Sequence, residues 1–146
     1  MRQANWRAFC IFVLFCFVAV FVLATRFGGC TTMIETAAGG TVPMKCHWTY
    51  QSIRVIAAAG FACAIGGFFC DSKMSRRIVA SLIIVMAALT AVVPTDAVIG
   101  LCANPEMHCH TAAWGVWVAM AIAAVLGIVM LVLSDPDKQK QPKQRL

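Results

Sequence analysis

Two short segments of the chain carry side chains that bind metals or exchange disulfides. Residues 44–47 read Met-Lys-Cys-His and follow Cys30, whereas residues 107–110 read Met-His-Cys-His and follow Cys102. Each segment therefore has a leading cysteine and then Met-x-Cys-His, which predicts an internal repeat. Thioether, thiol and imidazole groups are soft or borderline ligands that suit Cu(I) or zinc. The same cysteines can form disulfides in an oxidising compartment.

Four cysteines are disulfide candidates in these segments: Cys30, Cys46, Cys102 and Cys109. Four cysteines allow three connectivities. Pairing within each segment, Cys30–Cys46 and Cys102–Cys109, is favoured because closing a loop between near neighbours costs less entropy. A closed loop of about 15 residues contributes roughly 3 kcal/mol in the chain-entropy model. Pairing between the segments, Cys46–Cys109 with Cys30–Cys102, remains open.

The same side chains predict two alternative activities. A membrane thiol–disulfide oxidoreductase is one, but a catalytic pair is usually Cys-x-x-Cys, and the spacings here are 16 and 7 residues. An enzyme is therefore the less favoured prediction. Copper or zinc binding is the other, although no cofactor is firmly implied. Its candidate ligands remain available even if all four cysteines are oxidised: Met44, His47, Met107, His108 and His110.

Composition determines what kind of element must position these groups. The chain has 146 residues, of which 61% are hydrophobic and 12% are charged. Soluble domains are nearer to about 45–50% apolar and about 25% charged. The excess excludes a soluble enzyme, a disordered chain and a nucleic-acid-binding module. It predicts a single integral membrane domain whose first partner is the lipid bilayer.

Four apolar stretches approach the roughly 20 residues that a membrane-spanning helix needs. They predict an all-α membrane protein with four transmembrane helices, arranged as two tandem hairpins under a Cys-rich extracytoplasmic cap. The predicted domain covers residues 1–133, and a disordered basic cytoplasmic tail covers residues 134–146. The third helix is expected to end before Pro94, since the residue preceding a proline disfavours the helical region. The predicted spans are about 8–25, 53–70, 75–93 and 112–133.

The basic residues orient these spans. Nine Lys and Arg lie in the two terminal segments and the connection at 71–77, whereas three lie on the opposite side: Arg26, Lys45 and Arg54. The positive-inside rule then predicts that both termini are cytoplasmic. The net charge of +6 is explained by this asymmetry and does not indicate a nucleic-acid partner.

Small residues predict where the helices meet, because lipid provides no hydrophobic drive between them. Two stripes at four-residue spacing run along the second span: Ala58, Ala62 and Gly66, and beside them Ala59, Cys63 and Gly67. No Asp, Glu, Lys, Arg or His lies at mid-membrane, which argues against a proton-coupled transporter. Helix faces able to accept partners favour an accessory subunit.

Residues 44–49, 100–102 and 107–111 resemble a family of small bacterial membrane proteins known as domain of unknown function 4418. The resemblance covers about residues 8–133 and implies a multi-pass protein of the bacterial cytoplasmic (inner) membrane. It implies no established activity, but family members look like neighbours of ABC exporters. The function predicted here is a non-enzymatic accessory or scaffold subunit of a larger membrane assembly, with an ABC exporter permease as the candidate partner.

Overall fold

The fold consists of four long helices. A computed structural model describes residues 3–27, 33–35, 39–102 and 108–134. The helices are α1 (Gln3–Arg26), α2 (Lys45–Phe68), α3 (Lys73–Val92) and α4 (His108–Leu133). Each is long and apolar enough to cross a membrane. The prediction of four membrane-length helices is therefore confirmed.

All four helices begin earlier than hydropathy predicts, and in two of them the difference moves candidate site residues into a helix. Helix α2 begins at Lys45 rather than near residue 53, and α4 begins at His108 rather than near residue 112. The added turns carry polar and aromatic side chains, which an apolar window does not count as part of a span. As a result, Cys46 and Cys109 lie in the first turns of helices rather than in loops.

Helix α3 has clear signals at both ends. The hydroxyl of Ser72 accepts a hydrogen bond from the backbone N–H of Ser75 at 3.0 Å, which caps the first turn. The helix ends at Val92, and Pro94 follows two residues later. The observed end agrees with the expected effect of the proline on the residues before it.

A small antiparallel hairpin lies between α1 and α2, where no element was predicted. Strand β1 (Met33–Glu35) pairs with strand β2 (Thr41–Pro43), with Ile34 opposite Val42. Most of its side chains are exposed. Three-residue strands are too short for periodicity to identify them in a sequence.

The helices form a ring in which each one packs against two others. Contacts join α1 with α2, α2 with α3, α3 with α4, and α4 with α1. The surface of the ring is rich in large apolar side chains, among them Phe12, Phe15 and Val55, each more than 60% exposed. An apolar surface around a packed interior is the arrangement expected of a bundle that lies in lipid.

The small residues that face the interior of α2 are not the ones that four-residue spacing suggested. Ala58, Ala62 and Gly66 are exposed, and of the second stripe only Gly67 is buried. The buried small residues of this helix are Ala57, Gly60, Ala64 and Gly67. Spacing defines several neighbouring stripes about 100° apart, so the inward stripe depends on which partner side chains pack there.

The buried glycines mark sites of close packing. A Cβ added at Gly60 would overlap the ring of Phe17 on α1, and one added at Gly127 would lie 2.7 Å from Cγ1 of Ile84 on α3. Phe17 is fully buried, so its ring would have to shift within the packed interior to make room. Of the phenylalanines on α1, Phe17 thus fills a gap between helices, while Phe12 and Phe15 face outward.

Helices α2 and α4 bury their side chains in the same register. Every buried residue of α4 lies 63 positions after a buried residue of α2, as in the pairs Cys46 and Cys109, Ile53 and Val116, and Gly67 and Met130. Cys46 and His47 of α2 and Cys109 and His110 of α4 occupy equivalent first turns within this register. The two helices therefore present matching faces to the interior.

Replacing Gly60 with alanine is expected to destabilise the bundle, because the new methyl group overlaps the buried ring of Phe17. Overpacking of this kind costs about 1–3 kcal/mol. Gly66→Ala is the matched control, since nothing lies within 4 Å of an added Cβ there. Thermal unfolding of the purified variants in detergent measures the difference. Equal melting temperatures for the two variants would contradict the packing account.

Candidate functional site

A cleft of about 1040 Å³ opens at the end of the bundle where α2 and α4 begin and where α1 and α3 end. We call this end the loop end and the cavity the loop-end cleft. Its walls come from the hairpin, the start of α2, the turn after α3 and the first turns of α4. The lining residues are Ile34, Met44, Lys45, Pro94, Thr95, Asp96, Leu101, Cys102, His110 and Trp117.

Two buried hydroxyl groups at the start of α2 hydrogen-bond to the segments that carry the lining residues Cys102 and His110. Tyr50 donates a hydrogen bond to the carbonyl of Cys109 in the first turn of α4. Thr49 donates to the carbonyl of Gly100 at 2.7 Å, in the segment that leads to Cys102. Both side chains are fully buried. The start of α2 thus determines where α4 begins and where the preceding loop passes.

The carboxyl ends of α1 and α3 are tied to the other two helices. Arg54 of α2 donates through Nε (3.1 Å) and Nη2 (2.9 Å) to the carbonyl of Ala24 near the end of α1. Trp117 of α4 donates through Nε1 to the carbonyl of Ala91 near the end of α3 at 3.0 Å. Arg54 and Trp117 are also separated by 63 positions. Equivalent positions of α2 and α4 therefore satisfy carbonyls that lack an intrahelical partner.

The imidazole of His110 is oriented by the loop that precedes α4. Its Nε2 lies 2.8 Å from the carbonyl oxygen of Cys102. Because a carbonyl only accepts hydrogen bonds, Nε2 carries the hydrogen of this contact. In the neutral ring the other nitrogen, Nδ1, is then an acceptor. The contact also places His110 directly beside Cys102 at the cleft wall.

The cysteines do not form the predicted disulfides in the described part of the chain. Cys46 and Cys109 are buried in the helical interior, whereas Cys102 lines the cleft. No cysteine pair there lies at disulfide distance, so the structure does not support Cys102–Cys109 or Cys46–Cys109. Starting α4 at His108 turns the Cys109 side chain into the bundle and away from the cleft. Cys30, and with it the Cys30–Cys46 pairing, lies outside the described residues.

The five predicted metal ligands are dispersed. Met44 and His110 line the cleft. His47 is exposed and stacks edge-on against Trp48 at 5.6 Å, and His108 is also exposed. Met107 lies outside the described residues. Within the described ranges, no group of three or more His, Cys, Asp or Glu side chains is placed to hold a metal ion.

Sequence reasoning did not assign three polar residues to this site. Lys45, Asp96 and Trp117 all line the cleft. Asp96 follows the proline that ends α3, next to a turn in which Gly100 adopts a φ of +84°. A Cβ at position 100 would lie 2.6 Å from Oδ1 of Asp96. Both the positive φ and this close contact therefore favour glycine at this position. The glycine marks a turn, but nothing in the spacing links that turn to residues 44 and 110.

The length and composition of the helices are those of a multi-pass membrane protein with four spans. The chain belongs to the family described as domain of unknown function (DUF4418), whose model matches residues 11–134. The expected family membership is therefore confirmed over most of the chain. Neither the curated proteins nor the solved structures contain a match.

Tyr50→Phe is expected to loosen the loop end, because it leaves the buried carbonyl of Cys109 without the hydroxyl donor. A loss of about 1–2 kcal/mol in unfolding free energy follows from typical values for such bonds. Thr25→Val serves as the control, since the Thr25 hydroxyl bonds only to carbonyls of its own helix at an exposed position. Denaturant titration in mixed micelles compares the two variants. A larger loss for Thr25→Val would contradict the role assigned to Tyr50.

Proposed function

We propose that this protein is an integral membrane accessory or scaffold subunit that binds a transmembrane helix of another protein through one face of α2. We call this face the outer α2 face and define it by Ala58, Ala62 and Gly66. The observation that carries the proposal is their exposure at four-residue spacing. An added Cβ at Gly66 would meet nothing within 4 Å.

Small residues at this spacing allow two helix backbones to approach closely in lipid, where van der Waals contact drives association. The inward face of α2 uses Ala57, Gly60, Ala64 and Gly67 for this purpose. The outer α2 face has the same chemistry, and no described helix of the chain covers it. Exposed small residues give lipid chains little to pack against, so a partner helix is the better occupant.

The surface beside this face is shaped to receive side chains. A groove of about 290 Å³ runs between α1 and α2 next to Ala58. It is lined by apolar side chains: Phe17, Val18, Phe21, Ala57, Ala58 and Phe61. Large apolar residues of a partner helix would fit this groove while its backbone rests on Ala62 and Gly66. The family resemblance suggests an ABC exporter permease as the partner.

Ala62→Phe is expected to abolish capture of the partner, because the phenyl ring prevents close approach at the centre of the outer α2 face. Ala121→Phe on the exposed surface of α4 is the matched control and is expected to leave capture intact. Tagged variants are purified from native membranes in mild detergent, and partners are quantified by mass spectrometry.

Two results would overturn this function. One is a wild-type protein that runs alone with no stoichiometric partner. The other is recovery of the same partner by Ala62→Phe and wild type in equal amounts. A complex that contains only further copies of the chain would replace the scaffold role with self-association.

The proposed topology is two tandem hairpins in the bacterial cytoplasmic membrane, with both termini cytoplasmic and the loop end extracytoplasmic. The nine-to-three distribution of basic residues and the shared register of α2 and α4 support it. Reporter fusions provide the test. Alkaline phosphatase is expected to be active when inserted after residue 40 and inactive when fused after residue 134. The reverse pattern would contradict the topology.

The alternative activity of a thiol–disulfide oxidoreductase has no comparable support. Such an enzyme needs two cysteines that can reach each other, and none of the described cysteines lies at disulfide distance from another. The metal-binding alternative has no such support either, because its predicted ligands are dispersed over the described residues.

A further inference from the structure

A further groove, of about 600 Å³, runs along the outer surface of the bundle between α1 and α4. We call it the α1–α4 groove; it shares no lining residue with the loop-end cleft or the outer α2 face. We propose that it binds an anionic phospholipid, with one acyl chain along the groove and the phosphate beside Arg26 at the loop end. The site is independent of the helix-binding role proposed for α2.

Large apolar side chains form the walls of the α1–α4 groove. More than half of the surface of each is exposed: Phe12 and Phe15 on α1, and Trp114 and Val118 on α4. A flexible chain of methylene groups that lies between such walls gains dispersion contacts on both sides. The outer α2 face offers no such walls, because its defining residues are small. The two surfaces therefore suit different occupants.

Small residues leave room between these walls. Ala19 of α1 and Ala119 of α4 also line the groove. Helices α1 and α4 come into contact near the loop end, where a Cβ added to Gly115 would lie 3.0 Å from Cδ1 of Leu23. The groove is therefore a channel on the surface of the bundle there, open to lipid along its length.

The length of the groove matches one leaflet of a bilayer. Its lining extends from Phe12 to Leu23 on α1 and from Trp114 to Leu126 on α4. At 1.5 Å per residue, each range covers about 16–18 Å along the helix axis. Half of the hydrocarbon core of a bilayer is about 15 Å. The groove thus begins at the loop end and stops near the middle of the membrane, as the acyl chain of a single lipid does.

A basic side chain lies where the phosphate of such a lipid would be. Arg26 is exposed in the last turn of α1, three residues after Leu23. Residues three or four apart on a helix share a face, so Arg26 continues the groove towards the loop end. On α4, Thr111 is exposed four residues before Gly115. Its hydroxyl can donate a hydrogen bond to a phosphate oxygen.

Charge complementarity selects the class of lipid. The planar guanidinium group binds phosphate through two parallel hydrogen bonds. No ion pair joins Arg26 to another described residue. A zwitterionic headgroup carries its own cation beside the phosphate, whereas phosphatidylglycerol does not. Arg26 therefore favours an anionic lipid such as phosphatidylglycerol.

The wall at the loop end is held in position before any lipid binds. The ring of Trp114 packs edge-on against that of Trp117, with 5.7 Å between the centroids. Trp117 is itself held by its hydrogen bond to the carbonyl of Ala91. A wall that is already ordered lowers the entropy lost on binding. Indole rings are also typical of the membrane interface, where the headgroup of the bound lipid would lie.

Native mass spectrometry of the full chain, released from detergent micelles with added lipid, tests the site. The probes are phosphatidylglycerol and phosphatidylcholine with identical acyl chains. Wild type is expected to retain one phosphatidylglycerol in preference to phosphatidylcholine. Arg26→Gln is expected to weaken retention of phosphatidylglycerol by about fivefold and to remove the preference. Arg7→Gln, which removes an exposed arginine at the other end of α1, is expected to behave as wild type.

Ala19→Phe fills the α1–α4 groove and is expected to lower retention of phosphatidylglycerol by about tenfold. Ala19 is exposed, so the phenyl ring does not enter the packed interior, and thermal unfolding in detergent checks that the fold is kept. Ala121→Phe, on the exposed surface of α4 outside the groove, is the matched control. Ala62→Phe on the outer α2 face is also expected to retain lipid as wild type does, so the two proposals fail independently.

Quenching of tryptophan fluorescence in nanodiscs provides a second measurement. Phosphatidylglycerol with brominated acyl chains is expected to quench more strongly than brominated phosphatidylcholine. Trp114→Phe keeps an apolar wall and is expected to abolish this difference. Trp48→Phe, which removes an exposed indole of α2, is expected to preserve it.

Three results would overturn the site. The first is equal retention of phosphatidylglycerol and phosphatidylcholine by wild type. The second is equal retention of phosphatidylglycerol by Ala19→Phe and Ala121→Phe. The third is the loss, in Ala19→Phe alone, of a polypeptide that wild type holds in native membranes, because the groove would then receive a helix instead of a lipid.

Discussion

Close approach of helices at small residues is the constraint on which this bundle depends. Lipid is as apolar as the side chains, so burying a leucine gains little, and stability must come from contact between surfaces that fit. The ring of Phe17 packs directly against Gly60, and the side chain of Ile84 packs directly against Gly127. Both contacts are too close for a Cβ atom on the glycine unless the neighbour shifts. These contacts set the spacing of the ring of helices. The register-equivalent positions, Ala123 on α4 and Ala64 on α2, are also small and buried.

Hydrogen bonds to helix-end carbonyls complete the bundle at both ends. At the end opposite the cleft, Trp6 donates to the carbonyl of Gly67 at 2.8 Å, and the guanidinium of Arg76 lies 5.4 Å from the Trp6 ring centre. At the loop end, Arg54 and Trp117 perform the equivalent task for the last turns of α1 and α3. Because the carbonyls of a last helical turn have no partner four residues later within the helix, these bonds satisfy groups that lipid cannot hydrate. Tyr50 instead bonds to a carbonyl in the first turn of α4 and so positions the start of that helix. Hydrogen bonds therefore fix the helix ends that surround the loop-end cleft, and this fixes the positions of the backbone segments that line it.

The outer α2 face and the loop-end cleft have no residue in common. The outer α2 face is a helix surface with small side chains, and its chemistry suits contact with another helix. The cleft has polar side chains beside apolar walls and lies at one end of the bundle.

The sequence by itself determined the class of protein, the number of spans and the residue types available for chemistry, because apolar content and span length are local properties. It did not determine which stripe of α2 faces inward, since Ala58 and Ala57 differ by a rotation of about 100° that only Phe17 and the neighbouring helices decide. It also grouped Met44 with His47 by proximity in the chain, whereas in the fold Met44 lines the loop-end cleft with Cys102 and His110, and His47 does not. Contacts between distant segments depend on where α4 begins and on the hydroxyl groups that hold its first turn, and neither follows from periodicity.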